Sequence, residues 1–112
     1  MLSPIHPGEQ LREEFMKRRG ISCERLAQEI GVDENAVALI VTERIAVTGE
    51  MALRLSRYFG TTARFWLDLQ RDYDLERASH ALGDRLDFEV KPTFIDGMAY
   101  GGVERRVRPR LG

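Results

Sequence analysis

The stretch Ser22-Cys23-Glu24-Arg25-Leu26-Ala27-Gln28-Glu29-Ile30-Gly31-Val32-Asp33-Glu34-Asn35-Ala36-Val37-Ala38-Leu39-Ile40-Val41-Thr42 decides the fold. Ser22 is a good N-cap, and Leu26, Ala27 and Ile30 fall on one face of the helix that follows it. Gly31 ends that helix, and Asp33 caps another running to about Thr42, with Val37, Ile40 and Val41 inward. Two helices that cross closely need a small residue at the crossing, and Ala27 supplies it. The turn needs a backbone tolerant of positive φ, and Gly31 follows Ala27 by four residues. Val37 and Ile40 lie six and nine positions beyond Gly31, and no proline interrupts residues 22–48. A plain helical hairpin with Gly31 as a simple C-cap explains each residue singly. The joint offsets point to a helix-turn-helix.

Outward from this motif, Gly and Pro punctuate the chain. His6-Pro7-Gly8 opens a first helix, with Pro7 in the first turn and Leu11, Phe15 and Met16 as its apolar stripe. Lys17, Arg18 and Arg19 suit its negative end, and Gly20 its stop. Glu43 to Val47 is a connection. Thr48 caps a fourth helix, with Glu50 in its first turn, Met51, Ala52, Leu55 and Phe59 on its core side, and Gly60 after its end. Thr61 or Thr62 caps a fifth and longest helix, over about 63–81, carrying Phe65, Trp66, Leu69 and Tyr73. From Asp84 the pattern changes: Asp87-Phe88-Glu89-Val90 alternates with period two before Pro92 and reads as one short extended segment. The expectation is an all-α domain of five helices over residues 5–82, followed by an extended, partly mobile C-terminal segment over 83–112.

The 112 residues suit one ordinary domain, and 43% hydrophobic residues suffice for one core. Charged residues make up 31% with both signs interspersed, which fits a soluble chain. No apolar run is long enough to span a bilayer, so no membrane partner is expected. Met1-Leu2-Ser3-Pro4 has no basic start with an apolar follow-on, so no secretory signal is expected. Cys23 is the single cysteine, which excludes an internal disulfide and a cysteine-rich zinc site and fits a reducing cytoplasm.

In a working helix-turn-helix the exposed face of the second helix lies in the DNA major groove. Its candidates here are Glu34, Asn35, Ala36, Ala38, Leu39 and Thr42. Asn35 suits bidentate bonding to adenine, Glu34 suits cytosine, and the small apolar residues suit a thymine methyl. Arg44, and Ser22 with the start of its helix, suit phosphate, and Arg25 is a further DNA-binding candidate. Charge argues the other way. The net charge is −1, and between Ser22 and Ile45 five acids face two arginines, a local balance of −3. Nucleic-acid binders are ordinarily basic. Residues 98–112 carry Arg105, Arg106, Arg108 and Arg110 against Glu104 alone, suited to phosphate, to an acidic groove on a partner, or to a solvated end.

Two further stretches carry a family resemblance. One is Ile5-His6-Pro7-Gly8-Glu9 with Leu11-Arg12-Glu13-Glu14-Phe15. The other is Ala52-Leu53-Arg54-Leu55-Ser56-Arg57-Tyr58-Phe59-Gly60-Thr61-Thr62, continued by Phe65-Trp66-Leu67-Asp68-Leu69-Gln70 and Tyr73-Asp74-Leu75. These resemble the HigA-type antitoxins of the Xre-like repressors over residues 5–77. The resemblance implies a five-helix, lambda-repressor-like domain that forms a homodimer, represses its own operon by binding operator DNA, and neutralises a RelE-like, HigB-type toxin that cleaves mRNA. It implies no enzyme activity. The turn after the reading helix departs from the family, which commonly has a Gly-Lys-Arg-like sequence where this chain has Glu43-Arg44-Ile45. Two alternatives stay open: a protein-binding antitoxin with weakened or lost DNA binding, and a solitary Xre-type regulator.

Other chemistry is poorly supported. His6 and His80 lack metal-ligand partners at helical spacing, so no metal or cofactor is expected. Cys23 has no basic cluster to activate it, and Gly101-Gly102 lacks the residues of a phosphate loop. Phe65, Trp66, Leu69 and Tyr73 at helical spacing fit a core or a dimer interface.

Overall fold

The computed structural model describes residues 4–95, 98 and 99, in two compact units, Met1–Ala81 and Leu82–Gly112. His6 starts the first unit: its Nδ1 accepts the Gly8 N–H at 2.8 Å and caps the first helix, with Pro7 at the first position. This helix, α1 (residues 7–19), is α-helical over Pro7–Gln10, widens to a π-helix over Leu11–Met16, and returns to α over Lys17–Arg19. The wider turn puts Leu11 and Met16, five residues apart, together in the core, with Phe15 half-buried beside them.

The helix-turn-helix follows as α2 (Cys23–Ile30) and α3 (Glu34–Val41). The Ser22 hydroxyl accepts the Arg25 N–H, as its N-cap reading predicts. Gly31 stops α2 at φ 76. Asp33 stands at the N-cap of α3 without a side-chain capping bond. Next come α4 (Gly49–Phe59), capped by Thr48, and α5 (Ala63–Leu82), where the Thr62 hydroxyl accepts the Phe65 N–H. Of the two threonines, Thr62 is therefore the cap. Thr61 instead accepts the Trp66 indole N–H at 2.7 Å.

The core of this unit contains Leu11, Leu26, Ile40, Leu55 and Trp66, each about fully enclosed. Burying such a side chain stabilises the fold by roughly 2 kcal/mol. Phe15 and Phe65 pack on Trp66 with ring centroids 5.0 Å away in each case. From Asp74 to Ala81 every residue of α5 is exposed.

In the second unit one expectation is overturned in part. Asp87, Phe88 and Glu89 are not extended: α6 covers Arg85–Glu89, with Arg85 bonded to Glu89 one turn later, and only Val90 after it is extended. Four alternating residues are too few to outweigh a helical i,i+4 ion pair. Extended structure lies further on, where β1 (Phe94–Ile95) pairs antiparallel with β2 (Met98–Ala99). The Arg105, Arg106, Arg108 and Arg110 cluster lies outside the described residues.

Candidate nucleic-acid interface

α3 presents its N-terminal turn to solvent, as a reading helix must. Glu34, Asn35, Thr42 and Arg44 are exposed, while Ala36, Ala38 and Leu39 are half-buried. Val37, Ile40 and Val41 turn inward against α2 and α1. The low side-chain volume of Ala36 and Ala38 leaves this face smooth. Ser22 and Arg25 are exposed at the start of α2.

One of the two arginines on this face is already engaged. Arg25 Nε lies 2.8 Å from Glu29 Oε2. The Thr42 hydroxyl bonds back to the Ala38 carbonyl at 2.8 Å. Arg44 is exposed and has no ion-pair partner among the described residues. Cys23 is half-buried, and burial, with the charge of Glu34 behind it, pushes its thiol above the usual range. That environment suppresses the thiolate.

Four residues that position the motif do so by contacts no helical periodicity reports. Arg54 on α4 donates from Nη1 to the Ile30 carbonyl at 2.7 Å, capping the C-terminal end of α2. Arg12 on α1 donates from Nη1 to the Val41 carbonyl, capping the end of α3. Such cations also suit the negative end of a helix dipole. Gly8 presses on α3 so closely that a Cβ there would meet the Ile40 carbonyl oxygen at 1.7 Å. Gln70, buried on α5, accepts the Val47 N–H at 2.8 Å and donates to Asp74, pinning the loop after α3. All four lie within the quoted family stretches.

The residues expected at a dimer contact fare unequally. Phe65, Leu69 and Tyr73 are half-buried. Tyr73 meets the His6 ring edge-on, with centroids 4.8 Å apart. Trp66 is 0% exposed, so its assignment to a dimer contact is corrected: it is the centre of the chain's own core.

The helix-turn-helix family profile matches residues 11–66. Antitoxin HigA-1 of Vibrio cholerae is 33% identical over 92 residues, covering 82% of this chain and 86% of that one. The chain belongs to the HigA-type antitoxins of the Xre-like helix-turn-helix family. Two solved antitoxin structures superpose well on the chain. Pseudomonas aeruginosa antitoxin HigA with the higBA promoter has a TM-score of 0.77 at 43% identity, covering 81% of this chain and 99% of that chain. Antitoxin GraA in complex with its operator has a TM-score of 0.78 at 45% identity, covering 84% and 95%. No helix among the described residues is long and apolar enough to cross a membrane.

Proposed function

We propose that this HigA-type chain is a cytoplasmic antitoxin and autorepressor. It binds operator DNA through α3 as a homodimer and neutralises a RelE-like toxin of the HigB type. The observation that carries the DNA half is the exposed first turn of α3, with Asn35 free of side-chain bonds among the described residues, on a domain whose HigA and GraA relatives have been solved with promoter or operator. Asn35 and Glu34 read base edges, Ala36, Ala38 and Leu39 line thymine methyls, and Ser22, Arg25, Thr42 and Arg44 face phosphates. Phe65, Leu69 and Tyr73 are the dimer contacts in this reading.

A second reading has an observation of its own. Arg25 is paired with Glu29, Arg12 with Glu13 and Arg54 with Glu50, so these three cations do little to offset the acidic balance of residues 22–45. A chain of this kind keeps the fold as a protein-binding antitoxin with weakened DNA contacts. A gel shift on the DNA upstream of its own gene separates the two. On the first reading the protein retards that fragment at low salt and less at moderate salt, and Asn35→Ala weakens binding about tenfold. Absence of a shift at either salt, with and without the toxin partner, leaves the second reading standing.

A further inference from the structure

The reading helix ends on a residue that backbone stereochemistry disfavours. Glu43 has φ 64 and is the one non-glycine residue with positive φ among those described. Its N–H bonds to the Ile40 carbonyl, and the Arg44 N–H bonds to the Leu39 carbonyl at 2.8 Å. This is the paired-bond stop in which glycine is the usual residue, because a Cβ in the left-handed region crowds the following carbonyl. The helices before Gly20, Gly31, Gly60 and Gly83 all stop on glycine with positive φ.

Glu43 also carries a charge in an awkward place. One carboxylate oxygen lies 3.8 Å from Arg12 Nη2, whose other nitrogen holds the Val41 carbonyl. The side chain nonetheless stays 33% exposed, between Thr42 and Arg44. Both of those neighbours belong to the face assigned to phosphate. A carboxylate within the Debye length of a phosphate, about 8 Å at physiological salt, repels it and offsets the attraction of an adjacent arginine.

We propose that Glu43 sets operator affinity: held in a left-handed turn by Arg12, it keeps binding weaker than the same scaffold attains without its charge. This rests on the reading of α3 as the operator-contacting helix. Two substitutions separate the charge from the backbone. Glu43→Gln removes the charge and keeps the side chain at positive φ. Glu43→Gly removes both.

The test is titration of a labelled fragment of the upstream DNA at low and high salt, alongside thermal melts without DNA. The expected result is that Glu43→Gln binds about 3-fold or more tighter at low salt, with the gain shrinking at high salt. Glu43→Gly shows the same gain and melts about 4 °C higher, while Glu43→Gln melts no higher than the parent. A shift seen with Glu43→Gln but not with the parent also supports the proposal. If the parent binds, Asn35→Ala weakens it, and both Glu43 variants bind like the parent or worse, the proposal is overturned and the reading of α3 stands. If neither the parent nor the variants bind at either salt, both are overturned.

Discussion

The two helices of the motif both stop on a residue with positive φ, but on different residue types. At the end of α2 the N–H groups of Gly31 and Val32 both bond to the Ala27 carbonyl. At the end of α3 the Arg44 N–H makes the matching bond five residues back, to the Leu39 carbonyl, while the Glu43 N–H bonds three residues back, to Ile40, where Gly31 reaches four. The first end has a glycine where positive φ is needed, and Val32 tucks against the core behind it. The second has a glutamate at that position, and an exposed arginine follows. Each end has an arginine from another helix on its last carbonyls, Arg54 for α2 and Arg12 for α3. The turn inside the motif has the residue type its backbone favours and draws on another helix only for Arg54. The turn after the reading helix depends on α1: on Gly8, Arg12 and the His6 cap beside them.

The largest effect should come from removing that dependence. Gly8→Ala places a methyl group where the Ile40 carbonyl already is, and backbone atoms cannot yield as a flexible side chain can. A loss of about 3 kcal/mol or more is expected in denaturant melts, at the upper end for a single methyl group. Gly49→Ala is the control, because open space surrounds that site at the start of α4 and the change should be neutral or slightly stabilising. A Gly8→Ala protein as stable as its parent would remove α1 from the account of the second stop.

The next effect sharpens the contrast directly. Gly31→Ala forces an L-residue to φ 76 and brings its Cβ to 3.1 Å from Arg54 Nη1. It should cost about 1–2 kcal/mol, through strain and a displaced cap. Glu43→Gly should carry the opposite sign. Opposite signs at two ends that both need positive φ establish that residue type at that position distinguishes them. Equal signs would show that the difference lies in the surroundings.

Much of this was readable in the sequence, for a reason that also sets the limit. Caps and stops are local chemistry: Ser22, Thr48, Gly31 and Gly60 act within a few residues of themselves, and each acts as its type predicts. The inward faces follow from helical spacing, which put Leu26, Val37, Ile40 and Leu55 in the core. What spacing does not carry is reach. Arg54 bonds 24 residues back, Arg12 bonds 29 residues forward, and Gln70 holds a loop 23 residues away. The π turn in α1 changes which residues share a face, so Met16 joins Leu11 and Phe15 sits only partly buried. Trp66 fitted core and interface equally well by spacing, and only packing on Phe15 and Phe65 decides for core. At the site, the exposed residues of α3 were identifiable in advance. The backbone angle at Glu43 was not, because its residue type argues against it.

The smallest effect tests the comparison through protons. His6 is 3% exposed, and its Nδ1 must stay unprotonated to accept the Gly8 N–H. Burial lowers its pKa below the usual 6.5, while the charges of Glu43 and Asp74 oppose that shift in part. The unfolded chain therefore takes up the proton first as pH falls. The stability that neutral His6 contributes is present above pH 6.5 and is lost as pH falls from there through the lower folded value. The loss should be local to the stop that His6 supports. On acidification from neutrality, amide exchange should quicken at Glu43 and Arg44 more than at Gly31 and Val32, whose stop has no histidine beneath it. His6→Asn keeps a good cap without the titration and should level the two ends. Equal quickening at both stops in the parent protein would mean that acid acts on the whole fold and that the second stop has no proton-sensitive support of its own.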